Sequence, residues 1–344
     1  MCAQQPPVPV ILPNDLSPSR ALAIRIGAKK WVNGTVLHYY FLDRATAPKW
    51  AWIEDQKKIV RWAFDVWKQV GIGLSFVEVH DGSDAELLVG CLQDNRSWSY
   101  VGTDNLNPSN RDLGRTMNYG WDLTTAWGKA TAIHEIGHAI GLSHEHQNPN
   151  AGIVWNEEKV YAYFSGSPNN WPRATIYNNI LLKLDPSEVE GSKWDPKSIM
   201  EYPFNPGLII APKPYDTEGV GENTTLSQSD VDWVKGWYPP TTQPASISVM
   251  HLERLDAAAG QQRDYLFAPE ATREYKIGTI GESDCRVVIF EIRDNEPRHL
   301  VSGDDSGSES NVAIKTKLVK GRKYLVRVRV NFVTSPDGVG LLIA

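Results

Sequence analysis

The feature that most constrains this chain is a set of histidines with fixed spacing. His134 and His138 stand four positions apart. A helix turns about 400° over four residues, so both imidazoles would face the same side, one turn apart. Two imidazoles placed in this way can share one metal ion such as Zn²⁺ at about 2.0–2.1 Å. Glu135 would lie beside that ion. The spacing therefore predicts a helix that carries part of a metal site.

A third histidine, His144, joins this set only if the helix ends before it. On a continuous helix His144 would lie about 15 Å along the axis from His134, too far to share a metal. Gly141 stands between His138 and His144, and glycine adopts the left-handed conformation that ends a helix. Three neutral histidines leave a fourth position for water, which is the open arrangement of a catalytic zinc site. The alternative is a surface helix that matches HExxH by coincidence, and Gly141 and His144 argue against it.

Hydrophobic periodicity predicts both helices and strands around the histidines. Apolar residues at helical spacing indicate a helix over 53–70, and residues 126–141 can be helical up to the glycine. A capping-box pattern at Ser227 and Asp230 predicts a short helix that ends near Trp237. Runs rich in β-branched, aromatic and aliphatic residues predict strands within 31–42, 72–79 and 87–92. The first part of the chain is therefore expected to be mixed α/β.

Composition changes near residue 240 and divides the 344 residues into two domains. All 13 tryptophans lie between Trp31 and Trp237. From Met250 onward there are 14 basic and 14 acidic residues, so the formal net charge of −6 belongs to the preceding part. A proline-rich stretch at 239–244 has the composition of a linker. Beyond the linker, residues 286–292 and 324–330 indicate strands, and we predict an all-β sandwich there.

The composition also excludes several classes of protein. The apolar fraction of 41% is that of a globular chain. No stretch reaches the roughly 20 apolar residues of a membrane helix, and the mild acidity gives no case for binding nucleic acid. The three cysteines, Cys2, Cys91 and Cys285, lack CxxC spacing. A thiolate zinc site or a dense disulfide framework is therefore not expected.

The N-terminal residues leave the location of the protein open. They lack a basic region followed by a long apolar run, so no signal peptide is visible. One interpretation is a cytoplasmic protein. The other is an extracellular or cell-surface protein whose signal has been removed, and Cys2 would then suit a lipid anchor.

Two motifs carry a resemblance to a known family. HEIGHAIGLSH at 134–144 and SIMEY at 198–202 resemble the zinc motif and methionine turn of the metzincin metalloproteases. Within that clan the chain is most similar to the astacin-like zinc endopeptidases. Their zinc motif runs into a glutamate, as His144-Glu145 does, and their methionine turn carries a tyrosine at the place of Tyr202. Segments 31–41 and 152–164 add to the resemblance.

The resemblance implies an architecture with four parts. Residues 28–240 would form an α+β metzincin-like catalytic domain with a twisted mixed sheet and an active-site helix. Residues 241–247 would be a linker and 248–344 the β-sandwich. Residues 1–27 are expected to be an arm or the remnant of a pro-segment, and the arm is favoured.

The resemblance also implies a role for each matching residue. His134, His138 and His144 would bind one catalytic Zn²⁺. Glu135 would be the general base that takes a proton from a water of lowered pKa, and later the acid that protonates the leaving amine. Tyr202 would be a switch tyrosine that ligates zinc at rest and stabilises the oxyanion during catalysis.

Three further residues would support the site. Met200 would lie beneath the metal, and Gly141 would turn the chain. Glu145 is expected to form a buried structural ion pair, which in the family is made with the mature N-terminus. The chain departs from the family in lacking its disulfide cysteines. It also has His146-Gln-Asn-Pro-Asn after the third histidine and Glu201 where the methionine turn usually has histidine.

The C-terminal domain resembles the pre-peptidase C-terminal β-sandwich domains of secreted bacterial proteases. Such a domain could attach the protein to a surface, assist secretion or capture substrate. Asp304 and Asp305 are a candidate calcium site, although an acidic Ser/Gly-rich loop is usually a solvated turn.

The expected function is that of a zinc-dependent endopeptidase acting on proteins or peptides. Two other hypotheses for the function stay open. One is a toxin or effector protease with a single narrow target and little general proteolytic activity. The other is a binding module with a structural zinc, and the retained Glu135 argues against it.

Overall fold

The computed structural model describes residues 29–43, 52–94, 96–112, 114–184, 186, 193–241, 243–255, 261–303, 311–332 and 338–344. It confirms an α+β domain followed by a β-sandwich. None of the helices in these ranges is long and apolar enough to cross a membrane. Our predictions for 1–27, including Cys2, and for Asp304 and Asp305 concern residues outside them.

A mixed five-stranded sheet forms the first half of the α+β domain. Its strands lie in the order β2-β1-β3-β5-β4. Neighbouring strands are parallel except for the edge strand β4, which is antiparallel to β5. The five strands are β1 (Val36–Phe41), β2 (Ser75–Glu78), β3 (Leu87–Gly90), β4 (Trp98–Ser99) and β5 (Met117–Asn118).

Helix α1, Glu54–Gln69, packs on this sheet through the apolar face that its periodicity predicts. Val60, Phe64 and Trp67 are almost fully buried on that face. Acidic residues occupy its first turn and Lys68 its last, which suits the helix dipole. The Trp67 indole N–H donates to the carbonyl oxygen of Ile133 at 2.9 Å, so α1 also contacts the helix that carries the histidines.

The remaining helices of this domain are short, apart from the one that carries the histidines. They are α2 (Pro108–Arg111), α3 (Ala126–Ala139), α4 (Glu157–Ser165), α5 (Arg173–Ile176), α6 (Tyr215–Glu218) and α7 (Gln228–Trp237). Single helical turns lie at Gly82–Asp84, Gly102–Leu106, Glu145–Gln147, Pro149–Ala151 and Tyr177–Leu181. Strands β6 (Val154–Trp155) and β7 (Ile209–Ala211) pair antiparallel.

The C-terminal sandwich consists of two sheets, in the orders β13-β12-β15-β10-β8 and β14-β11-β16-β9. Ala245 and Ser246, within the predicted linker, form β8 at the edge of the first sheet. Cys285 is buried in the core between the sheets, and Cys91 is buried in the first domain. The strands are β8 (Ala245–Ser246), β9 (Leu252–Leu255), β10 (Gln262–Phe267), β11 (Arg273–Gly281), β12 (Asp284–Arg293), β13 (Glu296–Gly303), β14 (Ala313–Leu318), β15 (Lys323–Phe332) and β16 (Val339–Ile343).

The first sheet of the sandwich is buried on both faces near its centre. Val287 and Ile289 of β12 face the sandwich core. Val288 and Phe290 of the same strand pack in a separate cluster with Val32, which precedes β1. Because alternate residues of a strand point to opposite faces, the second face of this sheet contacts the α+β domain.

Candidate metal centre

The structure brings the three predicted histidines together. Ligand nitrogens of His134, His138 and His144 lie within 4.8 Å of one another, and all three side chains are buried. The Nε2 atoms of His138 and His144 are 3.1 Å apart. This is close to the roughly 3.3 Å between two nitrogens at tetrahedral positions on one zinc ion.

Helix α3 and the turn after it produce this convergence. Thr125 caps the helix, since its side-chain oxygen accepts from the Gly128 N–H at 2.9 Å. Gly141 adopts φ +112° just after the helix ends, as the sequence predicts. The left-handed residue returns the chain toward the helix, and His144 therefore meets His138.

Hydrogen bonds hold each imidazole with Nε2 directed inward. Each Nδ1 lies beside an oxygen acceptor and so carries the proton, which leaves Nε2 as the ligand atom. The acceptors are the Ile199 carbonyl for His134 (2.8 Å), the Leu142 carbonyl for His138 (2.8 Å) and Gln147 Oε1 for His144 (3.3 Å).

Burial keeps these imidazoles neutral, which is the form that binds a metal. It lowers the pKa of His134 from 6.5 to about 4, and the pKa values of His138 and His144 well below 6.5. The buried Nε2 of His134 has no hydrogen-bond partner among the described residues. An inward-facing nitrogen of this kind fits a zinc ligand. Nitrogen donors alone suit zinc better than calcium or magnesium, which take oxygen ligands.

Glu135 and Tyr202 lie beside the three histidines. Glu135 is fully buried on α3 and lines the same cleft as His134. The Tyr202 ring centroid is 4.3 Å from that of His144 and 5.9 Å from that of His134. A carboxyl group and a phenol therefore flank the three histidines.

Met200 lies against α3 between the first two histidines of the motif. It is 1% exposed. A Cβ atom added to Gly137 would lie 2.5 Å from its sulfur, so the glycine allows this close approach. Met200 therefore packs against α3 between His134 and His138, and its support of a metal site stays a prediction.

A carboxylate that sequence reasoning did not assign to the site holds the methionine turn. Asp230 Oδ1 accepts from the Ser198 hydroxyl (2.5 Å), and Oδ2 accepts from the Ile199 N–H (2.9 Å). Asp230 also completes the predicted capping box with Ser227. The capping pattern located this residue, but its second role depends on contacts more than 30 positions away in sequence.

The expected ion pair of Glu145 is not found in the described part of the chain. Its Oε2 accepts from the backbone N–H of Asp195 at 3.2 Å. Burial raises the pKa of Glu145 to about 7. The ion pair stays a prediction, because the N-terminal residues lie outside the described ranges.

The two departures from the family pattern, His146 and Glu201, lie together. Both side chains are fully buried, with His146 Nδ1 3.7 Å from Glu201 Oε1. Glu201 accepts from the Trp194 indole N–H (2.5 Å) and from the Tyr202 N–H (3.0 Å). His146 Nε2 donates to the Asn179 carbonyl oxygen at 2.7 Å. Burial lowers the pKa of His146 to about 3 and raises that of Glu201 well above its usual value, so burial disfavours the charged form of both groups beside Tyr202.

Comparisons with known proteins give a consistent set of relatives. The chain is similar to the solved structure of myroilysin, with 31% identity and a TM-score of 0.54 over 63% of this chain and 98% of that one. It is 33% identical over 153 residues to bone morphogenetic protein 1 of Xenopus laevis and 27% identical over 191 residues to protein SpAN of Strongylocentrotus purpuratus. These matches cover 41% and 52% of this chain.

The chain spans only 18% and 27% of the length of those two curated relatives. A further match, to the pre-peptidase C-terminal domain of a collagenase from Bacillus anthracis, covers 30% of this chain and 97% of that domain, with 14% identity and a TM-score of 0.24. No protein-family model matches the chain.

Proposed function

This chain belongs to the astacin-like metalloproteases, and from that premise we propose that it is a zinc-dependent endopeptidase that hydrolyses peptide bonds in proteins. The observation that carries the proposal is the convergence of three neutral, buried imidazoles beside the Glu135 carboxyl group. His134, His138 and His144 would hold one zinc ion through Nε2. Three protein ligands leave the site open to water and substrate.

Each remaining residue of the site would then have a defined task. When bound, the zinc ion supplies Lewis-acid polarisation of the scissile carbonyl and lowers the pKa of a water to about 7. Glu135 accepts the proton of that water and passes it to the leaving amine. The Tyr202 hydroxyl donates a hydrogen bond to the oxyanion that develops on the carbonyl oxygen.

Replacing Glu135 tests this proposal directly. We expect Glu135→Ala to retain one zinc per chain and to lose cleavage of a protein substrate such as casein. Glu157→Ala, an exposed glutamate at the start of α4, is the matched control and should leave cleavage unchanged. Full proteolysis by Glu135→Ala with zinc bound would contradict the assignment.

We propose that the protein acts outside the cell or at the cell surface, with the sandwich domain attaching it there. The resemblance of this domain to the accessory domains of secreted bacterial proteases supports the proposal. Fractionation of producing cells, followed by immunoblotting, tests it. Protein found only in the cytosol would contradict the extracellular assignment.

A further inference from the structure

A pocket opens beside His134 and Glu135. One wall is formed by Trp121, which lies just before α3, and by Trp127 in its first turn. Pro203, which follows the methionine turn, also lines the pocket. Both tryptophans are half-buried, so part of each indole faces the pocket. A substrate side chain next to the scissile bond would enter this pocket.

Hydrogen bonds fix the tryptophan wall relative to the metal ligands. The Trp121 indole N–H donates to Thr131 Oγ1 at 3.2 Å. The Thr131 hydroxyl in turn donates to the Trp127 carbonyl oxygen at 3.0 Å. Thr131 precedes His134 by one helical turn, so both tryptophans are held on the helix that carries the site.

The loop before α3 is also pressed onto the helix. A Cβ atom on Gly128 would overlap the Asp122 carbonyl oxygen and Leu123 Cα, so only glycine allows this approach. The Gln56 side-chain amide donates to Asp122 Oδ1 (2.6 Å) and accepts from the Leu123 N–H (2.7 Å). The wall is therefore preformed, which lowers the entropy cost of binding.

The pocket offers no partner for a charged side chain. No lysine or arginine lines it among the described residues. Its carboxyl groups are those of Glu135 and Glu201, both buried. The Glu201 oxygens already accept from the Trp194 indole and the Tyr202 N–H. An acidic side chain would meet no lysine or arginine among the described lining residues, and a basic one would find no exposed carboxylate there. An aromatic ring would bury apolar area and pack against the indoles.

We propose that this pocket, defined by Trp121, Trp127, Thr131 and Pro203, makes the enzyme specific for an aromatic side chain at one position flanking the scissile bond. The proposal rests on the proposed endopeptidase function. It names the substrate class as polypeptides with an exposed Phe, Tyr or Trp beside the cleaved bond.

Cleavage of a randomised peptide library by the zinc-loaded full chain tests the proposal. We expect aromatic residues to be enriched at one flanking position. Between matched peptides, kcat/KM for Phe should exceed that for Ala there by about 10-fold to 200-fold. Trp127→Ala and, independently, Trp121→Ala should reduce the Phe-to-Ala ratio toward one. Trp62→Ala, at a 41% exposed tryptophan on α1, should leave the ratio and the activity unchanged.

The outcomes separate the two proposals. Cleavage without aromatic enrichment, or a preference for Asp, Glu, Lys or Arg, overturns the specificity and leaves the endopeptidase intact. No cleavage of any peptide overturns both. Binding to zinc-loaded Glu135→Gln gives a readout without turnover, in which the Phe peptide should bind at least about 10-fold tighter than the Ala peptide. Equal binding also overturns the proposal.

Discussion

At the residue scale, the ability of the site to bind a metal depends on which ring nitrogen of each histidine carries the proton. Backbone carbonyl oxygens accept hydrogen bonds from the Nδ1–H groups of His134 and His138. The Gln147 side-chain oxygen accepts one from Nδ1–H of His144. The helical spacing could be read from the sequence, and so could the role of Gly141. The acceptors could not, because any residue offers a carbonyl oxygen and only the folded chain determines which one is adjacent.

Tyr202 is expected to act in the transition state rather than in binding the substrate. Tyr202→Phe removes the hydroxyl and keeps the ring that packs against His144. We expect kcat to fall by about 10²- to 10³-fold, as for loss of one oxyanion donor, with KM and zinc content little changed. Steady-state kinetics measures this, and an unchanged kcat would exclude the role.

The buried histidines make the stability of the metal-free protein dependent on pH. Burial lowers the pKa of His134 to about 4 and that of His146 to about 3, whereas an unfolded histidine has a pKa of about 6.5. Above pH 6.5 both states are neutral. Below it the unfolded chain takes up protons that the folded chain excludes, so the histidine contribution to stability falls as pH falls.

We expect each buried histidine to contribute up to about 1.4 kcal/mol per pH unit between pH 6.5 and 4. Glu145 and Glu201 oppose this contribution, because their raised pKa values favour the folded state as pH falls. NMR titration of the imidazole ring protons in chelator-treated protein therefore tests the histidines separately, and His134 and His146 should not titrate between pH 7 and pH 5. A midpoint near pH 6.5 for either one would contradict its buried, neutral state.

At the element scale, one peptide unit joins α7 to the zinc ligands. The Ile199 N–H donates to Asp230 on α7, and the Ile199 carbonyl accepts from His134 Nδ1. Asp230 therefore positions a ligand that it does not touch. Hydrogen-bond partners of this kind orient metal-bound histidines.

Asp230→Asn weakens this link, because the amide cannot accept from Ser198, Ile199 and Ser227 together. We expect zinc affinity to fall by about 10- to 100-fold, measured by competition with a chromophoric chelator. Asp232→Asn, on the exposed side of α7, is the matched control. Equal affinities of the two variants would show that the link does not position His134.

The elements that sequence predicts best are those whose signal is local. Helices α1, α3 and α7 lie within about two residues of their predicted bounds, because apolar spacing, a glycine stop and a capping box each mark a helix within a few residues. The pairing of His146 with Glu201 joins positions 55 apart in sequence, and no local periodicity encodes it.

At the scale of the whole molecule, the boundary near residue 240 is a packed interface. Val32 contacts Val288 and Phe290 of the sandwich, and the Gln262 amide donates to the Asn33 carbonyl oxygen at 2.7 Å. The composition break predicts two domains but not their contact. Apolar residues on both faces of β12 were the sequence signal for this contact, because a strand that is buried on both sides has a continuous run of apolar residues.

Replacing Gly34 with alanine tests this interface, and the same replacement at Gly71 is the matched control. At φ +80° it lies against the Arg327 guanidinium, and an added Cβ would overlap that group. Gly71 has φ +88° with nothing within 4 Å. Both alanine variants carry the same backbone strain, of about 1 kcal/mol. We therefore expect Gly34→Ala to lower the free energy of unfolding clearly more than Gly71→Ala in denaturant titrations, and equal losses would argue against a tight interface.

The proposed activity requires a single zinc ion held by three histidines. Titration of the metal-free protein with Zn²⁺, with peptide cleavage measured at each step, tests this most directly. We predict no cleavage before zinc is added, a linear rise that breaks at one zinc per chain, and no rise for His138→Ala. Cleavage by the metal-free protein, or full restoration in His138→Ala, would contradict hydrolysis by a zinc ion bound to these histidines.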